Sequence, residues 1–308
     1  MMNIITDNIE FTSKSGFGKT EDFALLKENS VLEITDTIFE KSKRLFSKTA
    51  DIGQWSYLFV SEFSEKSQYD SIINLSQKIN IPDKILCIAG SGKNFHGFHK
   101  RKWEALQGNI HLTVYFKPNK KIERLTTGFL ILSAVSVVQA IDDIPQLKNK
   151  AQIKWVNDIL IGNSKVSGVL AHSLTQGETV KGAILGIGIN VETKPVVEAT
   201  PFVPESACLN EFLNAQNKIE QFNIFYKLLN HLEKNYNLLL EGKYTSLLDI
   251  YKKRSMIINR NVAVISDSSD EKNDLICEGK VIDIGNNLEL YFENEDKPIA
   301  SGRLILKE

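Results

Sequence analysis

The chain has 308 residues, 42% apolar and 24% charged, with a formal net charge of −1. That length suits one large domain plus a small one, and the composition is that of a globular protein rather than a disordered or fibrous one. The near-zero balance gives no electrostatic footprint for nucleic acid or an anionic membrane, so any basic site must be local.

Cys87, Cys208 and Cys277 are far apart, odd in number and free of C-x-x-C spacing, which suggests neither a disulfide framework nor a zinc site. A reducing cytoplasm is the expected compartment. Met1–Glu10 carries acidic residues and lacks the basic-then-apolar pattern of a signal peptide.

Residues 1–54 read as short elements of unassigned role, with helices predicted over Glu21–Lys27 and Thr35–Phe46. Acids and bases mix too evenly there for a DNA-reading helix-turn-helix. From Trp55 the pattern sharpens into a strand at Tyr57–Val60, a helix over Ser67–Lys78 and a buried strand at Lys84–Ala89. A loop follows from Gly90 to Lys102, rich in glycine, lysine and histidine. Next come a strand (Asn109–Phe116), a helix (Leu125–Ile141), a strand through Ile153-Lys154-Trp155, a hairpin reaching Val169-Leu170, and an apolar strand over Lys181–Val191. The apolar stretch Phe129–Ile141 is too short to span a bilayer and reads as a buried helix.

Residues 217–240 place Phe222, Phe225, Leu228, Leu229 and Leu232 on one helical face, and a shorter helix follows near Tyr244–Tyr251. Beyond Ile257 the period becomes that of strands. Val262–Ile265, Ile276–Ile284, Leu288–Phe292 and Gly302–Leu306 predict a small barrel-like module, with a boundary near Ser255.

Some motifs fail on inspection. Ser13–Thr20 looks like a phosphate-cradling loop, but Ser13 stands where the first glycine belongs, and Gly90-Ser91-Gly92-Lys93 has Cys87 at that place. Gly186-Ile187-Gly188 lacks the third glycine of a dinucleotide fingerprint. His96-x-x-His99 has no nearby carboxylate or cysteine at a usual spacing to complete a metal site.

One constellation remains. Lys154 stands in an otherwise apolar stretch, where a long cation needs an anion to meet it or must snorkel to the surface. Lys154-Trp155-Val156-Asn157-Asp158, then Lys165-Val166-Ser167-Gly168-Val169-Leu170, then Gly186-Ile187-Gly188-Ile189-Asn190-Val191 resemble, in order and spacing, the K-W-P-N-D, K-x-x-G-I-L and G-x-G-I-N-V signatures of biotin–protein ligases. The likeness runs from about residue 56 to the end and includes Arg101-Lys102-Trp103 and Ala207-Cys208-Leu209.

The resemblance implies an α+β fold: a class II synthetase-like mixed sheet flanked by helices over 55–254, and a small SH3-like β-barrel over 255–308. It implies ATP-dependent formation of biotinyl-5'-AMP, with Mg2+ accompanying ATP, and transfer of biotin to a lysine of a biotin carboxyl carrier protein. Lys154 would bridge acyl carboxylate and α-phosphate, with Arg101 and Lys100 adding charge. Ser67, Lys93, His96, Gly97, Phe98 and Gly168 would meet biotin or the adenylate, Gly97 by letting backbone approach it closely. Trp103, Asn157 and Asn190 would serve the nucleotide. From the residues alone, Trp103 packs the base of the loop in preference to touching ligand, Asn157 and Asp158 equally form a turn, and Gly168 and Gly188 equally permit close strand packing. The family also allows a homodimer.

The chain departs from the pattern at the acyl end. Glu65-Lys66-Ser67 stands where biotin-specific members carry Ser-Thr-Asn, Lys93 replaces a glutamine, and the glycine-arginine loop has become Phe95-His96-Gly97-Phe98-His99-Lys100-Arg101. A lipoate or octanoate ligase or transferase, and a non-catalytic binding protein on the same fold, are therefore the alternatives.

Overall fold

A computed structural model describes residues 1–14, 21–22, 28–39, 44–198, 205–266 and 274–307. The chain begins with β1 (Met2–Thr6), α1 (Ile9–Lys14), β2 (Glu21–Asp22), α2 (Asn29–Ile38) and β3 (Phe46–Ala50). The central part comprises β4 (Tyr57–Ser64), α3 (Gln68–Ser76), β5 (Ile85–Gly92), β6 (Ile110–Phe116), β7 (Lys120–Lys121), α4 (Leu125–Asp142), β8 (Ala151–Lys154), β9 (Asp158–Ile161), β10 (Ser164–Gln176) and β11 (Thr179–Ile189). Then follow α5 (Gln221–Leu240), α6 (Tyr244–Lys253), β12 (Asn261–Ile265), β13 (Leu275–Ile284), β14 (Leu290–Phe292) and β15 (Arg303–Leu306).

The main sheet runs β2-β3-β1-β4-β5-β6-β11-β10-β9-β8, with β7 paired to β11. Successive strand residues point to opposite faces, and the core follows that period of two. Ile4, Leu58, Leu86, Val114 and Leu185 pack with α4, α5 and α6, whereas their neighbours Ile5, Phe59, Cys87, Tyr115 and Ile184 pack with α2 and α3. Both faces are therefore helix-covered, as a mixed sheet requires.

Helix α4 is apolar almost all round because it lies inside. By length and apolarity it would cross a membrane, but it is mostly buried within the fold. Its hydroxyls are satisfied locally: Ser133 donates to Phe129 O at 2.8 Å and Ser136 to Leu132 O at 2.7 Å.

The first residues differ most from expectation. Glu21–Asp22 is strand rather than helix, with 23–27 outside the described residues, and the second helix lies over Asn29–Ile38 while Phe46 opens β3. β1 lies parallel to β4, Ile4 opposite Leu58, and antiparallel to β3. Asp7 Oδ1 accepts from Glu62 N at 3.0 Å, and Asn8 Nδ2 donates to Glu62 Oε2 at 2.6 Å. Phe11 lies where a Cβ on Gly90 would come within 2.7 Å of it, edge-on to Phe222.

The opposite edge, β8, is covered by the connection that leaves α6: Ile153 N donates to Arg254 O at 2.7 Å and Met256 N to Ile153 O at 3.0 Å. The carboxy-terminal strands form a separate antiparallel sheet, β14-β13-β12-β15, consistent with an SH3-like module. It docks through an apolar layer continuous with the main core and through polar contacts. Trp155 Nε1 donates to Leu288 O at 2.7 Å, Tyr244 Oη to Asn286 O at 2.5 Å, and Lys252 pairs with Asp283 at 2.8 Å.

Candidate active site

Strand register assembles one transverse row from distant parts of the sequence. Lys154 on β8 faces Asp158, Asp158 faces Gly168 on β10, Gly168 faces Gly188 on β11, and Gly188 faces His111 on β6. In the next row Leu170 faces Gly186, which faces Thr113. Three glycines at neighbouring positions remove side chains from the middle of the sheet and leave a trough. It forms the floor of a cleft of about 350 Å³.

Two aromatic rings lie over the trough. A Cβ on Gly188 would come within 2.4 Å of the Trp103 ring, and one on Gly186 within 3.1 Å of Tyr69. Trp103 is held by its edge as well: its Nε1–H donates to His111 Nδ1 at 3.2 Å, while His111 Nε2 contacts Leu106 O at 3.0 Å. These partners fix the neutral tautomer with the proton on Nε2. Burial pushes the His111 imidazole down to about 4, against the opposing hydrogen bond to Leu106.

Charge gathers at the Lys154 end. Lys165 pairs with Asp158 at 2.7 Å and lies over the Trp103 ring at 5.7 Å. Lys154 is only 4% exposed. Burial pushes its ammonium below the usual lysine range, Asp158 pulls it back, and the charges of Lys165, Arg101 and Arg303 depress it further. Lys154 of β8 thus stands within electrostatic reach of three other cations, from β10, β15 and the loop before Trp103, and of the Asp158 carboxylate. A site so rich in positive charge suits a ligand with several anionic oxygens.

The loop between β5 and β6 closes one side. Gly92 N donates to Ala105 O at 3.0 Å, Trp103 N to Phe95 O at 3.0 Å and Gly97 N to Arg101 O at 2.7 Å, so the segment folds back as an irregular hairpin. His99 and Lys100 hold left-handed backbone angles, φ 53° and 57°. Across the cleft Asn190 is buried; its Nδ2 donates to Ala207 O at 3.0 Å, and its Oδ1 has no partner.

Residues 67–190 match the model of the biotin/lipoate A/B protein ligase family. The matched segment holds β5, β6, β10, β11 and most of the cleft lining. The bifunctional ligase/repressor BirA of Bacillus subtilis is 25% identical over 240 residues, spanning 74% of this chain and 72% of the relative. The biotin–[acetyl-CoA-carboxylase] ligase of Paracoccus denitrificans is 30% identical over 105 residues, 32% of this chain and 41% of that one. Among solved structures, the biotin protein ligase of Aquifex aeolicus in complex with biotin and ATP is similar in fold, with a TM-score of 0.63 at 21% identity over 81% of this chain and 98% of that one.

The cleft brings together Ser67, His96, Gly97, Phe98, Arg101, Trp103, Asn157, Gly168 and Asn190. Lys154 stands at the end of the row, beside Asp158, without itself lining the cleft. Lys93 is elsewhere: it is exposed, pairs with Glu65 at 3.6 Å and lies over Phe63 at 5.6 Å. Glu65 and Lys93, two of the departures from the pattern at the acyl end, therefore pair with each other outside the cleft.

Gly97 lies on the cleft but is not tightly confined. A Cβ there would find only Arg101 O, at 3.9 Å. The left-handed positions fall instead on His99 and Lys100. Asn157 is a brace as well as a lining residue, its Nδ2 donating to Val169 O at 2.8 Å. Tyr69 and His111 line the cleft without having been singled out from the sequence, and Lys165, read there only as a letter of the second signature, lines it too. The alternation of Ile110, Leu112 and Val114 with His111 and Thr113 was the available signal, since a polar residue every second position marks the face opposite an apolar layer.

Proposed function

We propose that this protein is an ATP-dependent biotin–protein ligase. The observation that carries the reading is the row Lys154–Asp158–Gly168–Gly188–His111, a trough with cations gathered at one end. In the first step a carboxylate oxygen of biotin attacks the α-phosphorus of ATP and the bond to pyrophosphate breaks. In the second, a lysine amine of a carboxyl carrier protein attacks the acyl carbon, AMP departs with the electron pair of the C–O bond, and the amine proton passes to solvent.

Both steps crowd negative charge onto phosphate oxygens. Lys154, Lys165 and Arg101 would oppose it, and a charge fixed in a half-buried site needs little reorganisation as the transition state forms. The depressed ammonium of Lys154 regains its preference for the charged form when an anion arrives. Asn190 Oδ1, buried and unpartnered, would accept a hydrogen bond from a donor such as an adenine amino group. Among the described residues no three His, Cys, Asp or Glu side chains cluster to hold a metal ion, so magnesium would come with the ATP phosphates and no step is assigned to a protein-held metal.

The outward Glu65–Lys93 pair favours one second reading, a lipoate or octanoate ligase, because it leaves the cleft without those polar groups for a ureido ring. One experiment addresses both. The purified protein is incubated with ATP, magnesium and either biotin, lipoate or octanoate, and the acyl-adenylate is sought by mass. Biotinyl-5'-AMP is expected; the octanoyl or lipoyl adenylate alone would favour the second reading. No adenylate with any acid would leave a non-catalytic binding protein.

A further inference from the structure

The β5–β6 loop carries charges that point back to a helix. His96 Nε2 lies 2.6 Å from Asp70 Oδ2, and Lys100 Nζ lies 3.3 Å from Asp70 Oδ1 and 3.0 Å from His96 Nε2. Asp70 stands in the first turn of α3, directly after Tyr69, whose ring covers Gly186 and meets His96 edge-on at 6.5 Å. The contacts come from residues 26 and 30 positions away, so they join two elements that chain connectivity does not hold together.

The backbone pattern agrees. His99 and Lys100 occupy the left-handed region, which disfavours residues with a Cβ, and the Lys100 ammonium is thereby directed to Asp70. A conformation of that kind persists where surrounding contacts offset its strain. At the base of the loop the fixings are of another kind: Lys93 N donates to Ser64 O at 2.9 Å and Asn94 Nδ2 to Glu65 O at 3.0 Å.

We infer that Asp70 is a positioning residue that latches the β5–β6 loop onto α3, keeping Phe98 and Arg101 on the cleft wall. What the latch gates rests on the ligase reading; the latch itself rests on the contacts alone. Asp70 acts through His96 and Lys100 rather than by touching ligand. Its pairs are partly exposed, so the latch is weak enough to open for ligand entry, worth about two- to tenfold in the closed-to-open ratio.

The test is amide hydrogen exchange on the ligand-free protein. Asp70→Asn should speed exchange across residues 96–101 by about two- to tenfold. His96→Gln combined with Lys100→Met should do the same, and adding Asp70→Asn to that pair should cause no further rise. Glu65→Gln, which breaks an exposed ion pair at the base of the loop, should leave residues 96–101 unchanged. With ligands present, Asp70→Asn should raise the KM for acid and ATP by a similar factor at unchanged kcat. Unaltered exchange in Asp70→Asn, or equal acceleration by Glu65→Gln, would overturn the latch. Failure of the unmodified protein to form any adenylate would instead refute the ligase reading and leave the exchange result standing.

Discussion

Gly188→Ala is the sharpest test of the trough. Its new methyl would stand 2.4, 2.6 and 3.0 Å from three atoms of the Trp103 ring, closer than van der Waals contact allows. The indole cannot simply swing aside. Its Nε1–H is bonded to His111, its face carries Lys165, and a Cβ on Gly168 would already stand 3.6 Å from its other edge. Overpacking of this kind costs about 1–3 kcal/mol, or roughly 1.5–5 °C in Tm for a protein of this size. Moving the ring also releases Lys165, so adenylate formation should fall together with stability. Gly97→Ala is the control, because its methyl meets only Arg101 O at 3.9 Å and its φ of −97° suits any residue. Thermal unfolding, tryptophan fluorescence and adenylate mass are read for both variants. The account fails if Gly188→Ala matches the unmodified protein, or if Gly97→Ala is the more damaging change.

Lys154→Gln should abolish the adenylate while leaving stability equal or higher, since burial disfavours the native ammonium. Because its folded pKa lies below the ordinary 10.5, the unfolded chain binds more protons in that interval. Stability should therefore climb with pH up to 10.5, and denaturant titration should find that climb missing in the variant. For His111 the same logic applies at acid pH: the folded value of about 4 against 6.5 predicts a loss of about 3 kcal/mol as pH falls through that interval. An equally steep fall in His111→Gln would contradict it. Phe11→Ala should cost about 3 kcal/mol in chemical denaturation by emptying the space between Gly90 and Phe222. A negligible change would mean that the first fourteen residues do not brace the sheet.

Much of the fold was legible wherever the signal is local. The helix from Leu125 and the strands around Lys154 and Ile187 announce themselves through composition, because elements buried on all sides are apolar on all sides. The amino-terminal strands do not, because Ile4 finds its partner at Leu58 and a non-local pairing leaves no periodic trace nearby. The site divides in the same way. Lys154, Asp158, Gly168, Gly188 and Asn190 could be read as motif letters, but that the first four form one line with His111 depends on strand register. Lys93 was misplaced because position in a loop does not fix which way a side chain turns, and here Glu65 draws it outward. Asp70 carried no signal at all, since its partners lie in a different element.

The strip at Arg254–Met256 belongs to two structures at once. It completes the hydrogen bonding of the β8 edge at Ile153, the residue before Lys154, and it is also the tether from which the small carboxy-terminal sheet hangs. Any rotation of that sheet must therefore pull on the strand that presents Lys154. A second copy of the chain seeking to extend the main sheet at β8 would first have to peel this tether away. Hinge, edge guard and lysine support are one length of backbone, so a substitution that loosens it should be felt in all three roles together.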